Sequence, residues 1–224
     1  MKQTTIICLS LCMVLIFTTC EKVDDPGPKV VINYDTLFFD SFDKFSNSLW
    51  RGTSTTALDE NSLEIGSTGR TAYIYHIFDH DSIGEHSSLV STFDLKFSDN
   101  LSYMNFRGHA EDGSIDWAPE ILFRDGDIIS HLHSGNVPTS FAYDLDKWYQ
   151  FKLTMFNHMG PNGAYMLAVK TPESTSYTHL GSYPYFSHNG RLVDLVQISF
   201  GTAPGDSAEG SLQIDNVLIL KPRE

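Results

Sequence analysis

Cysteine is scarce in this chain of 224 residues: there are three, Cys8, Cys12 and Cys20, and all lie at one end. The body that follows, about two hundred residues long, has no thiol with which to form a disulfide, so its stability must come from a buried core. Positive charge is scarce too, with 15 Lys and Arg against 28 Asp and Glu and a formal net charge of -13. That balance argues against a nucleic-acid partner and against adsorption to an anionic membrane surface. After Phe17 no long apolar run recurs, no segment sustains a helical stripe, and no internal repeat or low-complexity block divides the chain. A helical bundle, a solenoid and a disulfide scaffold are thereby set aside. What the chain does have is an apolar content of 41% and an aromatic content of 12%, enough for one well-packed domain.

The first residues carry a separate message. Lys2 precedes an apolar core over 6–17 that is short for a membrane span, and Thr18 and Thr19 lead into Cys20. This arrangement resembles bacterial lipoprotein signal peptides, which implies removal of residues 1–19 and lipidation of Cys20, with palmitate-class acyl chains as the membrane anchor. Loss of Lys2 takes the net charge from -13 to -14. Residues 20–29 read as a lipidated cysteine and a flexible, proline-containing linker, and the domain is expected over 30–224. The acidic residues Glu21, Asp24 and Asp25 resemble the signal that carries some lipoproteins to the outer face of the outer membrane; a plainly solvated linker is the alternative. The expected location is the bacterial cell envelope, at the outer membrane, with surface exposure implied by those acidic residues alone.

From residue 30 onward the periodicity is that of strands. They are expected at 29–39, 71–78, 88–97, 101–106, 118–123, 127–133, 148–156, 164–169, 195–200 and 211–220, separated by turn clusters such as Asp125-Gly126 and Asn189-Gly190. The expected fold class is all-β, an antiparallel two-sheet β-sandwich arranged as a jelly roll. The carriers of a family resemblance are Phe38-Phe39-Asp40-Ser41-Phe42-Asp43 with Leu49-Trp50, the alternating 91–97, the Asp125-Gly126 hairpin, Trp148 after a turn, and 212–219. Together they are similar to the concanavalin A-like lectin/glucanase jelly rolls, laminin-G-like domains included. In that family the final strand lies beside the first. The resemblance implies architecture and leaves chemistry to individual residues.

A glucanase-type site needs paired carboxylates on one strand face, and Asp59, Glu60 and Glu64 do not reproduce that pattern. No arginine, glutamine-histidine and tyrosine motifs like those of polysaccharide lyases of similar fold are found. Glu120 and Arg124 would share one strand face, and a surface ion pair is expected of them. His131 and His133, two apart on a strand, point the same way and have the spacing of two metal ligands, but no glutamate follows at cupin spacing, so a polar groove or a solvated face is expected. The remaining histidines, His76 among them, are expected at the surface or along a groove. The family resemblance implies a structural calcium ion at Asp40, Asp43 and Asp215; a hydrogen bond from Asp215 to a neighbouring loop is the alternative. No other cofactor is expected.

Carbohydrate binding needs aromatic faces for stacking and polar side chains beside them. The candidate set is Trp117, Arg107, His109, Tyr103, His131, His133 and Glu120, with Trp117 in a loop-like passage as the most exposed ring. Trp50, Tyr183 and Tyr185 are also expected outside the core, and Trp148 inside it. On a lectin-like fold with a lipid anchor, this set implies binding of a polysaccharide or oligosaccharide without catalysis, the membrane being met through the lipid. The alternatives are a glycoside hydrolase or polysaccharide lyase with an atypical site, or a structural subunit with protein partners in a surface assembly. Glu120 and His131 converging within hydrogen-bond reach at the floor of a cleft would favour the enzyme; a flat aromatic platform with no converging acids would favour the binder.

Overall fold

Period-two burial builds this protein strand by strand. In Trp148–Phe156, Tyr149, Phe151, Leu153 and Met155 are buried and the residues between them are not. The computed structural model describes residues 33–44, 49–52, 55–59, 62–68, 71–78, 88–98, 101–110, 114–132, 134–156, 163–186, 192–202 and 209–223. Cys20, with the expected signal and linker over 1–19 and 20–29, lies outside the described residues.

In chain order the strands are β1 (Tyr34–Asp40), β2 (Arg51–Gly52), β3 (Thr55–Asp59), β4 (Ser62–Thr68), β5 (Ala72–Ile77), β6 (Leu89–Phe97), β7 (Leu101–Ala110) and β8 (Ile115–Arg124). They continue with β9 (Asp127–Leu132), β10 (Gly135–Ala142), β11 (Trp148–Phe156), β12 (Ala164–Lys170), β13 (Thr178–Pro184), β14 (Leu192–Thr202) and β15 (Glu209–Pro222). One sheet runs β13-β12-β11-β6-β15-β4-β3 with β1 added on β15, and the other runs β10-β9-β8-β7-β14-β5-β2. Every pairing between described strands is antiparallel. The fold is therefore an antiparallel two-sheet β-sandwich of jelly-roll type.

The last strand does lie beside the first. The early half of β15 pairs with β4 and the late half with β1, from Asp40↔Val217 to Tyr34↔Pro222. A bulge separates the halves: Asp215 faces Asp94 and Leu218 faces Thr92, with Asn216 at φ 51 absorbing the extra residue. The Asp125-Gly126 hairpin also forms, and both residues have positive φ, 54 and 86, as a type I′ turn requires.

Aromatic rings hold the sheets together. Phe93 on β6 meets Phe200 on β14 edge-on at 5.3 Å between centroids, and Phe123 on β8 lies 4.6 Å from Phe97 and 5.2 Å from Phe151. All five are fully buried.

Five strands, β2, β3, β4, β10 and β13, lie outside the expected set. β10 contains Pro138 and stands at a sheet edge, where a missing N–H can be tolerated, and its mostly exposed residues hide the alternation. β13 is the edge of the other sheet and buries only Leu180 and Tyr183 among its seven residues. Trp50, expected outside the core, is 1% exposed, and its Nε1–H donates to Asp40 Oδ2 at 2.8 Å. Tyr183 and Tyr185 are buried as well. Trp148 errs the other way: one register step puts Tyr149 inside and Trp148 outside, with Lys96 Nζ 5.8 Å from its ring centre.

Candidate functional site

Two strands of one sheet alternate apolar and polar residues in a way that leaves a polar face outside the sandwich. On β7, Met104 and Phe106 are fully buried towards the partner sheet, so Tyr103, Asn105 and Arg107 share the opposite face. Registry extends that face across neighbouring strands: His131 on β9 opposes Glu120 on β8, Glu120 opposes Asn105, Asn105 opposes Ser199 on β14, and Ser199 opposes Tyr75 on β5. A second row runs from Tyr103 through Gly201 to Tyr73, and a third joins Trp117, Arg107 and Gln197. The step from Trp117 to Glu120 spans three residues against two on β7, so Ala118 and Pro119 form a bulge that keeps both side chains on one face.

Glu120 is the centre of this face. It is 7% exposed and its Oε2 contacts His131 Nδ1, a contact in which the ring N–H donates to the carboxylate. The expected pairing of Glu120 with Arg124 is replaced by this cross-strand one. A carboxylate on Nδ1 orients the ring and leaves Nε2 as the nitrogen free of that contact. Phe186, which follows β13, packs beside the histidine: its ring lies 4.4 Å from His131 and 5.2 Å from Trp117, and its N–H reaches Ala118 O at 3.4 Å. Trp117 is thus in a strand and half-buried, contrary to its expected place in a loop.

Beside Glu120 the polar atoms are incompletely satisfied. Asn105 is 3% exposed, and its Oδ1, like Arg107 Nε, is buried without a hydrogen-bond partner among the described residues. Such atoms are uncommon in folded proteins and cost free energy where they occur. The Arg107 guanidinium stands 5.9 Å from the Trp117 ring centre. Burial pushes the Tyr103 hydroxyl up to about 12, Tyr73 and Glu120 adding to the rise and Arg107 opposing it.

Of the expected site residues, Tyr103, Arg107, Trp117, Glu120 and His131 come together on this one face. His109 is placed by its backbone on β7, opposite Ile115 and Asp194. His133 lies outside the described residues. Asn105, Gln197, Ser199, Tyr73, Tyr75 and Phe186 belong to the same surroundings and were not singled out from the sequence. The alternation Tyr103, Asn105, Arg107 between buried Met104 and Phe106 is the signal that could have found the first of them. His76, expected near the surface, is packed on Phe38 at 4.2 Å, contacts Leu49 O through Nδ1 at 2.8 Å, and has its pKa lowered by burial.

Asp40, Asp43 and Asp215 lie away from this face. Asp40 accepts hydrogen bonds from Phe42 N–H and Trp50 Nε1–H, both at 2.8 Å, and Asp43 accepts from the Ser41 hydroxyl at 2.9 Å. Asp215 accepts from Asn216 N–H at 2.7 Å, and its pKa is raised by burial first and then by Asp94, Asp43 and Asp40. Among the described residues no three His, Cys, Asp or Glu side chains are grouped to hold a metal ion. Asp215 nevertheless feels the charges of Asp40 and Asp43, and part of the acceptor capacity of all three is already used.

No family model matches the chain, and no curated protein does. Solved structures do match in fold. The alginate lyase of the marine Aplysia kurodai is 13% identical, with a TM-score of 0.61 over 84% of this chain and 100% of that one. A carbohydrate esterase of the Shiga toxin-encoding bacteriophage phi24B is 12% identical, with a TM-score of 0.54 over 85% of this chain and 100% of the esterase. The endo-β-1,4-glucuronan lyase of the fungus Trichoderma reesei is 12% identical, with a TM-score of 0.50 over 84% and 94%. At these identities the likeness is one of architecture.

Proposed function

We propose that this protein is a lipid-anchored component of a bacterial cell envelope that binds a polysaccharide or oligosaccharide on the outward face of its seven-stranded sheet. The observation that carries the reading is the pair of buried polar atoms, Asn105 Oδ1 and Arg107 Nε, left without partners among the described residues beside Glu120 and Tyr103. A glycan can meet the half-buried Arg107, whose guanidinium donates to a sugar oxygen or carboxylate, while a small movement of the side chains over Asn105 would open its Oδ1 to a sugar hydroxyl. The names of the similar structures, two polysaccharide lyases and a carbohydrate esterase, support carbohydrate as the ligand class. Cys20 is the proposed anchor and the outer membrane the proposed site of attachment, with the cell surface as the place where a glycan is met. Protein partners in a surface assembly belong to the same proposal.

A second reading is favoured by one specific contact. Glu120 holding His131 makes a positioned base, the arrangement that distinguishes an enzyme from a passive binder. An imidazole base beside an arginine suits removal of the proton next to a uronate carboxylate better than glycoside hydrolysis, which calls for two carboxylates. Alginate, glucuronan and a neutral β-1,4-glucan, offered to the purified protein while retention and unsaturated products are both recorded, separate the readings. Retention without products supports the binder. Products that vanish in His131→Ala establish the enzyme and overturn the noncatalytic role; neither retention nor products from any probe overturns the carbohydrate reading.

A structural calcium ion at Asp40, Asp43 and Asp215 is the subsidiary proposal; what supports it is the nearness of the carboxylates, which after burial adds to the rise in the pKa of Asp215. Calcium bound to the folded state alone stabilises it by mass action, about 2.7 kcal/mol at a hundred times the dissociation constant. The expected result is a higher Tm in millimolar calcium than in chelator, lost in Asp215→Asn. An unchanged Tm removes calcium from the account.

A further inference from the structure

A side chain on a sheet ordinarily stands roughly perpendicular to it. Tyr103 does not. A Cβ built on Gly201, directly opposite on β14, would lie 2.4 Å from both the Cζ and the hydroxyl oxygen of Tyr103. The phenol therefore reaches sideways over the Gly201 backbone, and only a residue without a side chain lets it do so. The ring is half-buried, with Gly201 beneath it and part of its surface open to solvent. Gly201 faces Tyr73 on its other side, and Tyr73 and Tyr75 are stacked with centroids 6.2 Å apart.

We propose that Tyr103, laid over Gly201 and continued by Tyr73 and Tyr75, is a stacking subsite for a sugar ring, and that the site takes an extended oligosaccharide lying across the strands. The inference rests on the carbohydrate reading above and adds the subsite and the ligand length. Flat rings present the apolar face that a pyranose stacks on, and tyrosine hydroxyls at their edges meet the sugar's own. Glu120 and Tyr75 are three strand spacings apart, β8 to β7 to β14 to β5, so the two ends of the proposed binding row are separated by about 14 Å. A monosaccharide cannot touch both ends. A chain of roughly three rings or more can, and its direction is set across the strands because the partners lie in registered rows.

Tyrosine over glycine also has a purely structural use, shielding backbone that glycine leaves bare. Binding as a function of ligand length separates the two uses, since shielding does not respond to ligand length. The probes are mannuronate oligomers and neutral β-1,4-glucose oligomers, each from one to eight units, titrated calorimetrically into the full-length protein. For wild type, affinity should rise steeply from one unit to about four and then level. Tyr103→Ala should weaken the long oligomers about tenfold and flatten the length dependence, while Tyr103→Phe, which keeps the ring, should stay within about twofold of wild type. Gly201→Ala should reproduce the Tyr103→Ala loss by lifting the ring; Tyr103→Ala adds no atoms and keeps the test open if Gly201→Ala fails to fold. Wild-type binding that is independent of length, or that survives Tyr103→Ala unchanged, overturns the subsite and leaves the carbohydrate reading standing. No binding of any oligomer by wild type overturns both.

Discussion

Replacing Arg107 by methionine should lower affinity for an acidic polysaccharide about 10- to 100-fold while leaving the fold as stable as before. The two effects have different origins. Hydrogen bonds to a charged group contribute about 1.5–3 kcal/mol, and that stabilisation is realised only when the ligand is present. In the free protein Arg107 Nε is buried without a partner among the described residues, so removing it relieves a cost on the order of 1 kcal/mol. Against that stands the loss of the guanidinium from the Trp117 ring, 5.9 Å away, worth about 0.5–1 kcal/mol. The expected change in unfolding free energy is thus within about 1 kcal/mol of zero. Affinity electrophoresis against alginate and urea denaturation of the same samples read the two quantities. A variant that unfolds easily yet binds normally would make Arg107 a structural residue and remove the main support for the proposed site.

Phe200→Ala should cost about 3–5 kcal/mol of stability, the largest loss expected from any single truncation described here. Phe200 is fully buried on β14, edge-on to Phe93 at 5.3 Å and 6.1 Å from Trp50, so its ring joins the two sheets and the segment after β1. β14 also lies between β7 and β5, which carry the polar face. With total stabilities of about 5–15 kcal/mol, such a loss is a large fraction of the whole, and Tm should fall by about 10 °C or more. Equilibrium denaturation should show a lower midpoint with an unchanged slope. A loss under about 1 kcal/mol would mean that the sheets close over the cavity, and the aromatic layer would then not be what holds them.

The strands with a buried inner face were legible because their side chains repeat every two residues. Tyr149, Phe151, Leu153 and Met155 announce β11, and Phe93, Leu95 and Phe97 announce β6. β10 and β13 were not legible, because an edge strand buries few residues and can carry a proline. The site divided in the same way. Tyr103, Arg107, Trp117, Glu120 and His131 were recognised as residue types suited to a glycan, but nothing local said that Glu120 would meet His131 and leave Arg124 aside. That depends on the pairing of β8 with β9.

Composition and periodicity by themselves determined an acidic, disulfide-free β-sandwich, since counts of charge and thiol need no coordinates and a two-residue repeat is a property of the chain. Tertiary structure alone decided which outward residues share a face. Asn105, Ser199 and Tyr75 lie on three strands widely separated in sequence and become neighbours only through registry, and the flat placement of Tyr103 needs a glycine nearly a hundred residues further along. Cross-strand contacts in an antiparallel sheet are set by pairing and bulges, which no short stretch of sequence encodes.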